Sequence, residues 1–158
     1  MDKLIHPLKP IYDKNSEVLI LGSFPSVISR KVNFYYANPN NRFWKVLSNV
    51  FEEEIDDRKE FLIHHHIALW DVIYSCRIEG SSDASIHDVK VNDIQSLVKN
   101  SSIHTIFTTG KKAEMLYKKY IDIDIDCIYL PSTSSANARM HVDDLVNAYK
   151  QIKERIYE

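Results

Sequence analysis

The sequence predicts an α/β fold built on a mostly parallel sheet, and three observations carry that prediction. Four short segments, Val18–Gly22 (VLILG), 67–73 (IALWDVI), 103–109 (IHTIFTT) and Asp126–Leu130 (DCIYL), are apolar on consecutive positions. Parallel strands covered on both faces read that way, whereas half-exposed strands alternate. Helical periodicity lies between and after these segments, the layout of a sheet with helical crossovers. Finally, every strand candidate runs straight into small, polar or turn-forming residues.

Taken in order, the strand at 18–22 gives way to Gly22-Ser23-Phe24-Pro25-Ser26. Phe43, Val46, Leu47, Val50 and Phe51 then fall on one face of a helix, which Asn40 or Asn41 is placed to cap after Pro39. The strand at 67–73 carries Asp71, and the strand at 103–109 closes on Thr108-Thr109-Gly110. Ala113, Leu116, Tyr117 and Tyr120 form a second helical stripe. The fourth strand opens into Pro131-Ser132-Thr133-Ser134, and Val142, Leu145, Val146, Tyr149, Ile152 and Ile156 mark a C-terminal helix. In an open parallel sheet the C-terminal strand ends share one edge, where ligands bind. Four polar segments are therefore expected to meet in one crevice.

The totals exclude several classes of function. The 158 residues suit one domain, 1–158, with 44% hydrophobic and 27% charged residues, an ordinary globular balance. No apolar run approaches the roughly 20 residues of a membrane span, and the first ten residues lack a signal-peptide pattern. Cys76 and Cys127 are the only cysteines, too few for an iron–sulfur cluster and outside any CxxC pair, which points to the reducing cytoplasm. A net charge of -2 argues against a histone-like basic binder but leaves room for a local basic patch.

The stretch FYYANPNNRFW, from Phe34 to Trp44, is the most informative. Read plainly, it is an aromatic loop and an Asn-Pro turn entering an amphipathic helix. Read functionally, stacked aromatics beside an amide at a helix start are how an extruded base is held. Asp71 is either a cap at a strand end or an acceptor opening into the crevice. His64-His65-His66 cannot converge on one metal ion, because adjacent helical residues point roughly 100° apart; the triplet suits a helix C-terminus, which favours cationic side chains. Gly110-Lys111-Lys112 lacks the GxxxxGK[ST] spacing of a phosphate loop and reads as a strand–turn–helix with surface lysines. The acidic run 52–57 is a solvated face that would repel DNA.

The pairing of GSFPS with YYANPNNRFW closely resembles the uracil-DNA glycosylase superfamily. NPNNRFWKVL is similar to the mismatch-specific uracil/thymine enzymes. With LWDVI and LPSTSSANA added, the set looks most like the hypoxanthine (deoxyinosine) DNA glycosylase branch, from about Val18 to Ala138. The resemblance implies a three-layer α/β/α sandwich with a four-stranded sheet, no metal, no organic cofactor, and damaged DNA as partner of a monomer. It also places departures: Phe24 stands where mismatch enzymes carry a catalytic Asn and efficient uracil enzymes an Asp, and Leu130 where the second motif begins with His or Asn.

By the same resemblance Asn41 takes over catalysis by positioning water, with Asp71 the competing candidate. Tyr36 stacks on the flipped base, and Gly22, Ser23, Phe24, Pro25 and Ser26 supply backbone hydrogen bonds to it. Ser132, Thr133 and Ser134 grip substrate and DNA backbone. Asn137 and Arg139 lie where relatives fill the gap left by the base. Arg30, Lys31, Arg42, Lys111 and Arg139 are expected to contact phosphates. No lysine occupies a nucleophile position, so hydrolysis without strand cleavage is expected. Uracil or mismatched thymine as substrate, and a non-catalytic module binding nucleotides or damaged DNA, are the alternatives.

Overall fold

The computed structural model describes residues 2–156. In chain order the strands are β1 (Lys3–Ile5), β2 (Val18–Gly22), β3 (Ile67–Asp71), β4 (Ile73–Arg77), β5 (His87–Val91), β6 (Thr105–Thr109) and β7 (Asp126–Leu130). The helices are α1 (Val27–Val32), α2 (Phe43–Phe51), α3 (Arg58–His64), α4 (Ile94–Lys99), α5 (Lys111–Tyr120) and α6 (Val142–Ile156). Strands β3-β2-β6-β7 form a sheet that is parallel throughout.

The consecutive apolar residues of β2 divide between two cores, because neighbouring side chains in a strand point to opposite faces. Val18 and Ile20 join Phe43, Leu47, Leu62, Leu145, Tyr149 and Ile152 from α2, α3 and α6. Leu19 and Leu21 join Ala113 and Leu116 of α5, Leu97 of α4, and Ile73 and Cys76 of β4. The sheet is thus covered on both faces, as the expected three-layer sandwich requires. Among the described residues no helix is long and apolar enough to cross a membrane.

The expected strand at 67–73 breaks in two. β3 ends at Asp71, and β4 departs into a second, antiparallel sheet of order β1-β4-β5. The side chain of Asn92 holds the break, donating to the carbonyls of Asp71 (2.9 Å) and Ile73 (3.1 Å). An unbroken apolar run cannot register such a bend, because Val72 and Ile73 are buried on either side of it. The small sheet was not anticipated. Its strands β1 and β5 are short and largely exposed, with no apolar periodicity to announce them.

Candidate active site

The C-terminal ends of the four parallel strands line one cavity of about 160 Å3. Its walls come from residues after β2 (Ser23 to Ser26), from Tyr36 and Asn41, from Thr109, and from Ser132 and Ser134 after β7. The expected convergence of polar strand ends is therefore a geometric fact, and the parallel register is its cause.

Asp71 forms the floor and is only 4% exposed. Its Oδ2 accepts from His6 Nε2 at 2.8 Å, while Oδ1 passes over Gly22 and has no hydrogen-bond partner among the described residues. A Cβ on Gly22 would lie 2.6 Å from that Oδ1 and 3.0 Å from the Tyr36 hydroxyl, so any larger residue here would displace the carboxylate. Tyr36 has φ of 50°, a left-handed backbone uncommon for a tyrosine. Its ring lies flat on Phe43, centroids 3.8 Å apart, so only the other ring face remains for a ligand. Burial, and then the Asp71 carboxylate, push the Tyr36 hydroxyl well above its ordinary pKa, which keeps it a neutral partner for Thr109 at 3.2 Å.

Asn41 is bound through its oxygen. Phe43 N–H donates to Oδ1 at 2.9 Å and Thr133 Oγ1 donates to it at 2.7 Å. A backbone N–H can only donate, which fixes the amide orientation and leaves Nδ2 as the end free for a ligand. The side chain bridges to the second residue on at the helix start. Arg42 is the helix cap, without a capping side-chain bond, so neither Asn40 nor Asn41 is the cap itself.

The DNA-contact residues separate into two groups. Arg42 turns inward, its Nε donating to Thr133 O (3.2 Å), Nη2 to Ser134 O (2.7 Å) and Asn137 O (3.1 Å), and Nη1 to Met140 O. It clamps the loop after β7 instead of standing free for phosphate. Arg30 is similarly engaged, donating to Gly80 O at 2.6 Å and Ser26 O at 3.3 Å. Lys31, Lys111 and Arg139 are exposed. Asn137 holds the loop by donating to Ser132 O at 3.0 Å. Thr133 is buried and used by Asn41, unlike Ser132 and Ser134 on the cavity wall. Phe24 and Pro25 line the cavity, Phe24 edge-on to His6 with centroids 5.8 Å apart.

Two site residues escape sequence reasoning. His6 is 65 positions from Asp71, and no local pattern marks it. Asp83, in a 3-10 turn at Asp83–Ser85, reaches the rim, where Ser23 Oγ donates to its Oδ1 at 2.9 Å. Burial of that carboxyl pushes its pKa up, against the lowering effects of Ser23 and Lys112. In sequence Asp83 sits in GSSDAS, which reads as turn chemistry.

The histidines stand at the end of a helix. His64 lies in the last turn of α3, as a basic helix end would have it, while His65 caps the helix and packs between Phe51 and Phe61, where burial lowers its pKa against the raising effect of Glu53, 3.3 Å from its Nε2. Among the described residues no group of His, Cys, Asp and Glu is arranged to hold a metal ion. The acidic run follows α2, at the opposite end of that helix from Asn41.

Residues 9–153 match the family model of the uracil DNA glycosylase superfamily. A hypoxanthine DNA glycosylase of Methanosarcina acetivorans is 35% identical over 135 residues, covering 82% of this chain and 85% of its own. One from Methanosarcina barkeri is 32% identical over 137 residues, covering 82% and 86%. A solution NMR structure from Methanosarcina acetivorans, of a candidate uracil DNA glycosylase, superimposes with a TM-score of 0.75. It is 30% identical and covers 95% of this chain and 99% of its own.

Proposed function

This chain belongs to the uracil DNA glycosylase superfamily, and from that premise we propose that it hydrolyses the N-glycosidic bond of deaminated bases in DNA, hypoxanthine foremost. The carrying observation is an unpaired carboxylate oxygen, Asp71 Oδ1, in the same cavity as the free amide Nδ2 of Asn41. Deamination of adenine turns the N1 acceptor into an N–H donor and the amino donor into a carbonyl. With the carboxylate oxygen opposite N1 and the amide N–H opposite the 6-substituent, this pair fits the deaminated edge, whereas adenine in the same placement sets acceptor against acceptor and donor against donor. Uracil presents the same pair, so the preference for hypoxanthine rests on the activity for which the Methanosarcina relatives are named. Guanine presents it with an added 2-amino group, so its rejection falls to the shape of the cavity.

In the reaction the C1′–N bond breaks, its electron pair passes to the base, and water adds to the oxocarbenium-like sugar, giving up a proton that the departing base anion takes. Asn41 Nδ2–H donates to the base as negative charge develops there, a preorganised dipole of the kind that dominates such sites. This differs from water positioning through the amide oxygen, which Phe43 and Thr133 already occupy. Tyr36 stacks by its free face, and the 22–26 loop adds backbone donors. Among the described residues no lysine lines the cavity, in keeping with a monofunctional hydrolase. The two free cysteines suit work in the reducing cytoplasm.

A second reading makes Asp71 the general base for the attacking water, and the occupied oxygen of Asn41 favours it. Duplexes containing hypoxanthine, uracil, xanthine or a G·T mismatch, followed by detection of free base, test the activity. Hypoxanthine release is expected; tight binding without release would indicate a binding module. Asp71→Asn separates the two roles. Altered base preference with turnover retained supports base reading, and abolished turnover on every base supports the general base.

A further inference from the structure

The N-terminal segment contributes a side chain that lines no part of the cavity yet contacts the group at its floor. We infer that His6 is a positioning residue for Asp71, holding Oδ2 so that Oδ1 stays directed into the base pocket. The inference rests on the reading of Asp71 as an acceptor used by the substrate, whether from base N–H or from water.

The geometry carries it in three steps. First, the contact is sealed: His6 Nε2 and Asp71 Oδ2 are 2.8 Å apart, and the two side chains are 2% and 5% exposed. Inside the protein such a hydrogen bond is worth more than at the surface, and loss of one partner leaves the other uncompensated. Second, His6 is itself fixed. Nδ1 lies 3.2 Å from Leu8 N and 2.9 Å from Leu8 O, so the Leu8 backbone meets the ring as donor or as acceptor. Phe24 packs edge-on against the ring, and His6 N–H donates to Tyr74 O at 2.7 Å, tying the residue to β4. Third, among the described residues His6 is the one hydrogen-bond partner of the Asp71 carboxylate, and Oδ1 rests over Gly22 without one. Without His6 the carboxylate is free to rotate, and an acceptor misplaced by ~1 Å can cost ~10²-fold in rate.

The test is a double-mutant cycle in single-turnover excision from a hypoxanthine duplex, with wild type, His6→Ala, Asp71→Asn and the double variant of the whole chain. His6→Ala is expected to cost ~10²-fold when Asp71 is present and little once Asp71 is Asn. His6→Gln, which keeps a donor near the Nε2 position, should recover much of the loss. Two outcomes overturn the inference and leave the role of Asp71 standing: additive losses from the two substitutions, or no recovery in His6→Gln. An Asp71→Asn variant with wild-type rate and base preference instead removes the reading of Asp71 itself. Proton–nitrogen NMR of the wild-type protein supplies a check that needs no His6 variant. A His6 Nε2 proton protected from solvent exchange, and lost in Asp71→Asn, is expected; a freely exchanging one overturns the proposal.

Discussion

Two of the loops around the pocket are each tied down by an arginine, and they are not tied equally. Arg42 reaches four backbone carbonyls of the loop after β7, at Thr133, Ser134, Asn137 and Met140. Arg30 reaches one carbonyl of the loop after β4, at Gly80, and its Nε returns to Ser26 beside its own helix. The tightly held wall supplies Thr133, whose hydroxyl holds the Asn41 amide, and the loosely held one carries the Asp83 carboxyl. A group that must meet a developing charge gains from preorganisation, since a fixed dipole costs no reorganisation during reaction. A rim that admits and releases a nucleotide works better with fewer bonds to break.

Removing the amide that the tight wall holds in place should have the largest effect. Asn41→Ala is expected to lower the single-turnover excision rate by ~10²-fold or more. Asn41→Asp should fare no better, because it retains the oxygen already held by Phe43 and Thr133 and loses the free N–H. A largely active Asn41→Asp would show that the oxygen is the working atom.

Next comes the wall itself. Arg42→Ala is expected to destabilise the protein by about 1.5–3 kcal/mol, and Arg30→Ala by about 0.5–1.5 kcal/mol, in denaturant unfolding. Arg42→Lys should rescue little, since a point charge cannot serve carbonyls spread around a planar fork. Equal losses at the two arginines would erase the distinction between the walls.

Docking gives a smaller, graded effect. Alanine at Lys31, Lys111 or Arg139 should each reduce the salt dependence of DNA binding by roughly one unit of slope, while Arg42→Ala leaves the slope unchanged. A changed slope in Arg42→Ala with none in the other three would place the docking face elsewhere.

The smallest effect concerns the loose wall. Asp83 has a raised pKa in the fold, so its protonated form contributes stability below the ordinary carboxylate range, lost as pH rises through the raised value. Asp83→Asn, which keeps an oxygen for Ser23, should therefore melt slightly higher than wild type at neutral pH. The gap should close as pH falls through the carboxylate range. A gap that widens in acid would mean that the carboxylate is stabilised in place.

The site was legible wherever it lay on strand ends. Gly22, Asp71 and Ser132 are recognisable because an apolar run ending in small polar residues can only deliver them to the C-terminal edge of a parallel sheet. Tyr36 and Asn41 are legible through the family motif. Arg42 was legible as a motif residue but not in its job, since a guanidinium drawn by four carbonyls and one drawn by phosphate look alike in sequence. His6 was not legible at all, because its partner stands 65 positions away and its neighbours hold no periodic pattern.

The sequence by itself determined the α/β class, the mostly parallel sheet and the edge on which chemistry collects. Those follow from local periodicity and from the chirality that sends every crossover the same way. Only the tertiary structure decided which atoms are free to act. It occupies the Asn41 oxygen, leaves Asp71 Oδ1 open above Gly22, seats His6 behind the carboxylate and turns two arginines inward. Hydrogen bonds are satisfied between whatever groups the chain brings within about 3 Å, and that pairing is set by the folded path, not by spacing along the sequence.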